Sequence, residues 1–389
     1  MINSKSFELH THSEYSIFDG MGKIKNKVKR AKELGYNALG ISDHGNICGL
    51  VEHYNCCKEE GIRPVLGVEA YFQPQFDKES DYHHLCLFAM NMQGYINICT
   101  MLTIANEQYF HRKPRITYEL LEQYNEGIIA STACIGGYHQ QLIIADKEGK
   151  ALRELDKFKD IFGDRLYVEI MPFSIDENGT QEYVNRTMYD LANKLDVKCI
   201  ITTDSHFVYK EDIETHKKMF EMSDRDMGDT YVGRYMQHEK EVLKAMHDMH
   251  NEMDIDAMLD NIQEIAGRTQ FEFKFEDTMP KLDWGMPALD KLKQLLNKGM
   301  KERGYKGKEY FDRIRYEVDV IESLGYTDYF LVIYDMISWC RENDIPTGVR
   351  GSAGNSLTNH LLGLSEVDAV ELDNIFERFL RHDKHKMVD

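Results

Sequence analysis

The first 210 residues alternate between short runs of β-forming residues and stretches with the hydrophobic spacing of amphipathic helices. Apolar residues recur three to four positions apart within 24–34, 50–57 and 183–195, which predicts a helix in each range. Strands are predicted at 7–12, 38–44, 64–72, 84–90, 127–134, 166–171 and 199–206. Seven strands that alternate with helices predict an α/β fold with a parallel sheet closed into a barrel.

The length, composition and charge of the chain limit the classes of protein to which it can belong. A chain of 389 residues predicts two or three domains. No apolar run has the length of a membrane span, the start has no apolar signal region, and the eight cysteines form no Cys-x-x-Cys pair. We therefore expect a cytoplasmic protein without disulfides or membrane contact. With 47 basic and 66 acidic residues the net charge is −19, so nucleic acid would have to bind at local basic sites or metal ions.

Side chains that commonly bind metals lie near the ends of the predicted strands. They are His10 and His12, Asp19, Asp43 and His44, Glu69, His83 and His84, Cys134, and Asp204 and His206. Each of them alone is more often a core or capping residue. The strand C-termini of a barrel lie on the face that carries its site, so together these residues predict a metal centre there.

The mixture of ligand types indicates the chemistry. Imidazole, carboxylate and thiolate together suit Zn²⁺, Mn²⁺ or Fe²⁺. More than four ligands imply more than one ion, and ions about 3.5–4 Å apart are the usual device for phosphoester hydrolysis.

These motifs resemble the PHP (polymerase and histidinol phosphatase) domain. The resemblance implies a distorted seven-stranded β/α barrel with up to three metal ions. It implies nine ligands, at His10, His12, Asp19, His44, Glu69, His84, Cys134, Asp204 and His206. The neighbouring His83 is the alternative to His84, which we prefer because His-Leu-x-Leu-x-Ala is the family pattern.

The motifs at 316–321, 325–332, 345–356, 361–364 and 376–380 resemble, in that order, the start of the palm of the bacterial DNA polymerase III α subunits, family C. Together with the PHP motifs, the resemblance spans essentially the whole chain. It implies a PHP domain at 1–272 and an incomplete α+β palm segment at 273–389.

A glycine- and serine-rich loop in this second segment has the composition of a phosphate-binding turn. Gly351 and Gly354 allow backbone N–H groups to face an anion, and Ser352 and Ser356 add hydroxyl donors beside a helix expected to begin near Asn355. The resemblance implies that the loop contacts the triphosphate of an incoming nucleotide. Arg350 and Arg378 are the basic residues expected to face phosphate, with salt bridges inside the palm as the equal alternative.

The resemblance aligns Asp389 with the first of the catalytic palm carboxylates that hold Mg²⁺. Since two-metal nucleotidyl transfer needs at least two carboxylates, we expect that these 389 residues cannot polymerise alone. Primer-template DNA, dNTP, the rest of the palm with thumb and fingers, and a sliding clamp bound through regions absent here are the expected partners. The second segment should expose apolar surface, including part of 329–333.

The leading hypothesis is therefore the N-terminal part of a replicative DNA polymerase, with a PHP domain that trims mispaired 3′ ends. A stand-alone PHP phosphatase acting on a small phosphate ester is one alternative, although it would have no use for residues 313–389. A non-catalytic scaffold is the other, and its signature would be missing ligands.

Overall fold

The computed structural model describes residues 8–223, 232–269, 272–274 and 280–383. The chain divides into two compact units, Met1–Phe273 and Lys274–Asp389. Each unit has a buried hydrophobic cluster of its own.

The first unit is built around one curled sheet. Its strands are β1 (Ala38–Ile41), β2 (Arg63–Phe72), β3 (His83–Ala89), β4 (Phe110–His111), β5 (Lys113–Ile116), β6 (Ile128–Ser131), β7 (Leu166–Ile170) and β8 (Lys198–Ile201). Its helices are α1 (Ile24–Glu33), α2 (Leu50–Glu60), α3 (Met92–Gln108), α4 (Tyr118–Tyr124), α5 (Tyr138–Ile144), α6 (Glu148–Phe162), α7 (Thr180–Lys194), α8 (Ile213–Glu221), α9 (Glu239–Met249) and α10 (Ile255–Arg268). The order of the strands is β4-β5-β2-β3-β6-β7-β8, with β1 also paired to β2.

Two strands depart from the predicted parallel sheet, β3 and the two-residue β4, which pairs antiparallel with β5. β3 runs antiparallel to both of its neighbours, β2 and β6, whereas the pairs β1/β2, β6/β7 and β7/β8 are parallel. The prediction of an entirely parallel sheet is therefore wrong at these positions. Residues 73–82 connect β2 to β3 without a helix, and so short a connection does not return the chain for a parallel strand.

The segment 8–12 joins the two edges of the curled sheet without forming a regular strand. Gly40 N donates a hydrogen bond to Glu8 O at 2.8 Å on one side. On the other side His12 N donates to Ser205 O at 2.9 Å, and Thr11 pairs with Ser205 in an isolated parallel bridge. The predicted first strand thus keeps its place in the distorted barrel but is irregular, and residue 7 lies outside the described residues.

The second unit is helical throughout its described part. Its helices are α11 (Ala288–Arg303), α12 (Lys308–Ser323), α13 (Thr327–Glu342) and α14 (Leu357–Leu361). Leu292, Val320, Leu331 and Phe376 from these helices and the loop after them form its core. Residues 280–383 contain no strand, so the α+β character predicted for this segment is not found there. The strand expected to begin at Asp389 lies outside the described residues.

The apolar run at 329–333 is partly buried. Phe330 and Leu331 are buried, and the other three residues are half-buried. The exposed apolar side chains of α13 lie further along the helix, at Met336 and Trp339, which are 56% and 58% exposed. The helix packs its first half into the core, and its second half carries the accessible apolar surface.

Candidate metal centre

The nine side chains predicted as metal ligands converge in the first unit, although they come from positions 10 to 206. His10 and His12 lie in the edge-joining segment, Asp19 in the loop before α1, His44 after β1, Glu69 on β2, His84 on β3, Cys134 after β6, and Asp204 and His206 after β8. Six of the nine are buried, whereas Asp19 and His44 lie next to each other at the surface and are 14% and 13% exposed. His84, with 24% of its side chain exposed, also reaches that surface.

Glu69 lies at the middle of one half of this cluster. Its Oε1 is 3.3 Å from His10 Nε2, 2.9 Å from His84 Nδ1 and 3.6 Å from Cys134 Sγ. Its Oε2 is 2.6 Å from His44 Nδ1. His12 Nε2 lies 3.5 Å from the same Oε2, so five potential ligands surround one buried carboxylate.

Two aspartates form the other half. Asp204 Oδ1 lies 3.1 Å from His12 Nε2 and 3.5 Å from His206 Nδ1. Asp19 Oδ2 lies 3.2 Å from His44 Nε2, and its Oδ1 lies 3.6 Å from His206 Nε2. His12 and His44 thus connect the two halves.

The backbone around the centre is strained. Asp204 has a φ of 48° and Ala133, next to Cys134, has a φ of 58°. Residues other than glycine seldom adopt this left-handed region, and such strain concentrates at functional sites. Because β8 ends at Ile201, the period-2 argument that predicted Asp204 and His206 on one face does not apply, and the irregular backbone brings them together instead.

The donor atoms fit a group of divalent cations. His12 Nε2, His44 Nδ1, Glu69 Oε2 and Asp204 Oδ1 are buried, and among the described residues none of these atoms has a hydrogen-bond partner of good geometry. Buried polar atoms rarely stay unsatisfied. Three sets of three donors drawn from the predicted ligands each lie close enough together to share one ion: His12, His44 and His206; His10, His12 and Glu69; and His44, Glu69 and His84.

The carboxylates of the cluster are held in their ionised form by the neighbouring histidines. Burial alone would raise the pKa of Asp19, but the hydrogen bond from His44 and the charge of His206 hold that pKa below its usual range. Burial likewise opposes ionisation of Glu69, and the neighbouring His84, His44 and His10 lower its pKa well below normal. Although burial lowers the pKa of His44, Glu69 raises it to about 8. The carboxylates are therefore ionised at neutral pH, as metal ligands must be.

The structure separates His83 from His84. His84 contacts Glu69 and lies 3.4 Å from Cys134 Sγ through its Nδ1. The His83 ring packs against Tyr138 instead, with 5.0 Å between ring centroids. The geometry therefore favours His84 as the candidate ligand.

Glu169 contacts the ring nitrogen of His10 that faces away from the cluster. It was not identified from the sequence. As a carboxylate it accepts a hydrogen bond from His10 Nδ1, 2.9 Å from its Oε2. Thr202 Oγ1 donates to the same oxygen at 2.5 Å, and Ser131 Oγ donates to Oε1. This arrangement fixes the His10 tautomer, so that Nε2 faces Glu69 and is left free for a metal. A charged residue inside the otherwise apolar β7 was the available signal.

Glu169→Gln should weaken metal binding by about 10- to 100-fold, the usual effect of removing a partner that orients a histidine ligand. The amide keeps the size of the side chain but loses the charge that holds His10 Nδ1–H. Competition with a fluorescent chelator measures the affinity, with the exposed Glu177→Gln as matched control. Unchanged affinity in a folded Glu169→Gln protein would contradict this role.

Arg234 is the second residue that supports a candidate ligand and that the sequence did not indicate. It is buried, and its guanidinium donates to Asp204 Oδ2, the oxygen that faces away from His12. The Arg234 charge helps to hold the pKa of Asp204 well below its usual range against the opposing effect of burial. Arg234 therefore orients Asp204 and keeps it ionised.

Each of the two units contains a range that matches a known protein family. The PHP domain family matches residues 8–172, and the bacterial DNA polymerase III alpha NTPase domain family matches residues 290–389. A DNA polymerase III subunit alpha from Aquifex aeolicus is 36% identical over 99% of this chain and 36% of its own length. One from Borreliella burgdorferi is 32% identical over 99% of this chain and 35% of its length. The chain is therefore similar to DNA polymerase III α subunits over nearly its whole length. It spans about a third of the length of these relatives.

Two solved structures resemble part of the chain. An amidohydrolase from Chromobacterium violaceum matches with a TM-score of 0.36 and 15% identity, over 52% of this chain and 87% of that one. A two-domain protein from Bacteroides vulgatus, described as containing a predicted PHP-like metal-dependent phosphoesterase, matches with a TM-score of 0.35 and 13% identity, over 62% of each chain. Among the described residues, no helix combines the length and the apolarity of a membrane span.

In the segment that matches the polymerase III alpha family, the predicted phosphate loop is only partly available to a ligand. Ser356 is buried, and its hydroxyl donates to Glu317 Oε2 at 2.8 Å. The backbone N–H groups of Leu357 and Thr358 donate to the same carboxylate at 2.9 and 2.8 Å. The N-terminus of α14 is therefore occupied by Glu317, and the prediction that Ser356 offers its hydroxyl to a phosphate conflicts with this geometry.

The other predicted phosphate ligands of the loop remain accessible. Arg350, Gly351 and Ser352 are exposed, and Gly351 has a φ of 71°, a conformation that suits glycine. Arg350 lines a cavity of about 300 Å³ together with apolar residues of α13 and Phe379. Arg378 is exposed as well, in the turn of Phe376–Arg378. Asp389 lies outside the described residues.

Proposed function

We propose that the chain is the N-terminal part of a replicative DNA polymerase whose PHP domain removes mispaired nucleotides from a 3′ end. The observation that carries this proposal is the convergence of nine candidate metal ligands, several of whose buried polar atoms have no hydrogen-bond partner of good geometry among the described residues. The relationship to polymerase III α subunits along nearly the whole chain supports DNA as the substrate.

The chain's own residues would prepare the reaction as follows. The nine ligands would hold up to three Zn²⁺, Mn²⁺ or Fe²⁺ ions, which when bound supply hydroxide at neutral pH and stabilise the leaving oxygen of a phosphoester. Glu169 orients His10, and Arg234 orients Asp204. His44 and Asp19 lie at the exposed side of the cluster, where a phosphodiester can approach from solvent.

The test is release of mononucleotides from a 5′-labelled primer. With Mn²⁺ or Zn²⁺ we expect stepwise shortening from the 3′ end, faster for a mispaired than for a paired end. Excess chelator should abolish the shortening, and returning the metal should restore it. Shortening that persists in chelator after dialysis would contradict a metal-dependent site.

Two observations weigh against the alternatives. A stand-alone phosphatase would leave residues 290–389 without a role, and this range matches a polymerase family. A scaffold that had lost catalysis would have lost ligands, whereas all nine side chains stand within reach of one another. Metal analysis of the purified chain separates an enzyme from a scaffold.

For the second unit we propose a contribution to nucleotide binding in the complete polymerase. Arg350, Gly351, Ser352 and Arg378 are the accessible candidates for contact with dNTP phosphate. Asp389 would hold Mg²⁺ with the other palm carboxylates, and primer-template DNA, thumb, fingers and clamp would complete the assembly. The inability of these 389 residues to incorporate nucleotides alone, and their cytoplasmic location, stay predictions.

A further inference from the structure

A cavity of about 540 Å³ opens beside the metal centre. Asp19, His44 and His84, the three ligands that reach the surface, form part of its lining. Ile17, Phe18, Tyr71, Tyr82 and Lys113 form another part and have no place among the metal ligands. The volume is in the range of sites for small ligands, which suits a nucleotide and not the width of a duplex.

Phe18 is held at this cavity in an unfavourable backbone conformation. Its φ is 60°, in the left-handed region that bulky residues avoid. Asp19 N and Gly20 N both donate to Ser16 O, at 2.9 and 2.8 Å, and this tight turn places Phe18 at its tip. Phe18 is nevertheless 49% exposed, and Ile17 beside it is 75% exposed. The strained turn therefore holds an apolar surface exposed to solvent next to the candidate metal centre.

Lys113 adds a positive charge to the same cavity. It begins β5, and its Nζ lies 5.0 Å from the centroid of the Tyr71 ring. Tyr82 packs edge-on against Tyr71, with 4.9 Å between centroids, and both rings help to line the cavity. In a chain with a net charge of −19, such a local cation matters for an anionic substrate.

We propose that this cavity binds the end of a single-stranded DNA chain, with Phe18 stacking on a terminal base and Lys113 binding a backbone phosphate. Aromatic surfaces for bases combined with cations for the backbone are the usual means of holding single strands. The site rests on the proposed function, because it delivers the terminal phosphodiester to the metal centre. It also requires a frayed end, since a base can reach Phe18 only when it is unpaired.

The test measures binding of a 5′-fluorescein-labelled oligothymidylate octamer by anisotropy, in chelator so that the octamer stays intact. Phe18→Gly removes the ring and suits the left-handed backbone, and it should weaken binding about tenfold. Phe18→Trp keeps a stacking ring and should bind like the unmodified chain. Phe110→Ala, which removes an aromatic ring that is 52% exposed and lies outside the cavity lining, is the matched control.

Lys113→Gln should reduce the slope of log affinity against log salt concentration by about 0.7, the effect of one lost phosphate contact on a single strand. Lys157→Gln is the control, because Lys157 likewise lies over a tyrosine ring, 3.6 Å from the Tyr118 centroid, but outside the cavity. A blunt duplex of the same sequence should bind more weakly and should not respond to Phe18→Gly.

The outcomes separate this inference from the proposed function. If the chain shortens primers with Mn²⁺ but Phe18→Gly binds the octamer as tightly as Phe110→Ala, the cavity assignment is wrong and the nuclease proposal stands. Absence of octamer binding by the unmodified chain also overturns the assignment. If no metal supports shortening, the nuclease proposal is wrong, and the cavity as a substrate site fails with it.

Discussion

Asp19→Asn and His206→Ala should each remove most of the Mn²⁺- or Zn²⁺-dependent release of mononucleotides, by about 100-fold or more. The two side chains face each other across 3.6 Å in one half of the cluster. Loss of either leaves an ion with a missing ligand, and even partners behind the ligands commonly contribute 10- to 100-fold. Asp19 is also one of the few ligands that reach the surface, where substrate must enter.

The measurement combines the initial rate of primer shortening with metal content per chain. Asp176→Asn and His247→Ala serve as controls, because both residues are exposed and lie outside the cluster. Circular dichroism verifies that each variant is folded. Full activity in both Asp19→Asn and His206→Ala would refute catalysis at this centre and favour a scaffold.

Glu317→Ala should destabilise the second unit by about 3–5 kcal/mol, the usual cost of leaving one partner of a buried ion pair without the other. Glu317 is fully buried and accepts from Arg313 Nε at 2.7 Å. The same carboxylate holds the hydroxyl of Ser356 and two backbone N–H groups at the start of α14. Alanine would leave all four donors without their acceptor.

The two tryptophans of the chain, Trp284 and Trp339, both lie in the second unit, so their fluorescence reports its unfolding selectively. Urea titration followed by this signal gives the free energy of unfolding. Glu317→Gln retains an acceptor oxygen and should cost less than Glu317→Ala. Glu322→Ala removes an exposed glutamate from the same helix and should change stability by less than about 0.5 kcal/mol. Equal stability of Glu317→Ala and Glu322→Ala would contradict the role assigned to Glu317.

The sequence predicts the positions of the candidate ligands better than the geometry that brings them together. His10, Glu69 and Cys134 could be identified because their residue types recur near strand ends. The direction of β3 could not be predicted from hydrophobic periodicity, because periodicity carries no information on strand polarity. It depends on the connection at 73–82, whose length and lack of a helix are the physical cause.

The residues that were hardest to predict are those that orient another side chain or a helix end and are not themselves candidate ligands. Glu169, Arg234 and Glu317 contact His10, Asp204 and Ser356, which lie 159, 30 and 39 positions away in the chain, so these three contacts cannot be recognised from local spacing. Glu317 also explains why the phosphate role of Ser356 failed to match the structure. A serine before a helix has the same local pattern whether its hydroxyl meets a ligand or a buried carboxylate.

The junction between the segment 8–12 and Ser205 has a consequence for biosynthesis. His10 and His12 leave the ribosome almost two hundred residues before the backbone that they pair with. Contacts so distant in sequence form late and slowly, because the chain between them must first be ordered. His10 and His12 therefore lack these backbone partners until the segment after β8 has been synthesised. The candidate metal centre is completed only when that segment, with Asp204 and His206, has left the ribosome. A metal ion present during translation would encounter an incomplete set of ligands, whereas a metal ion added after synthesis would encounter the complete set.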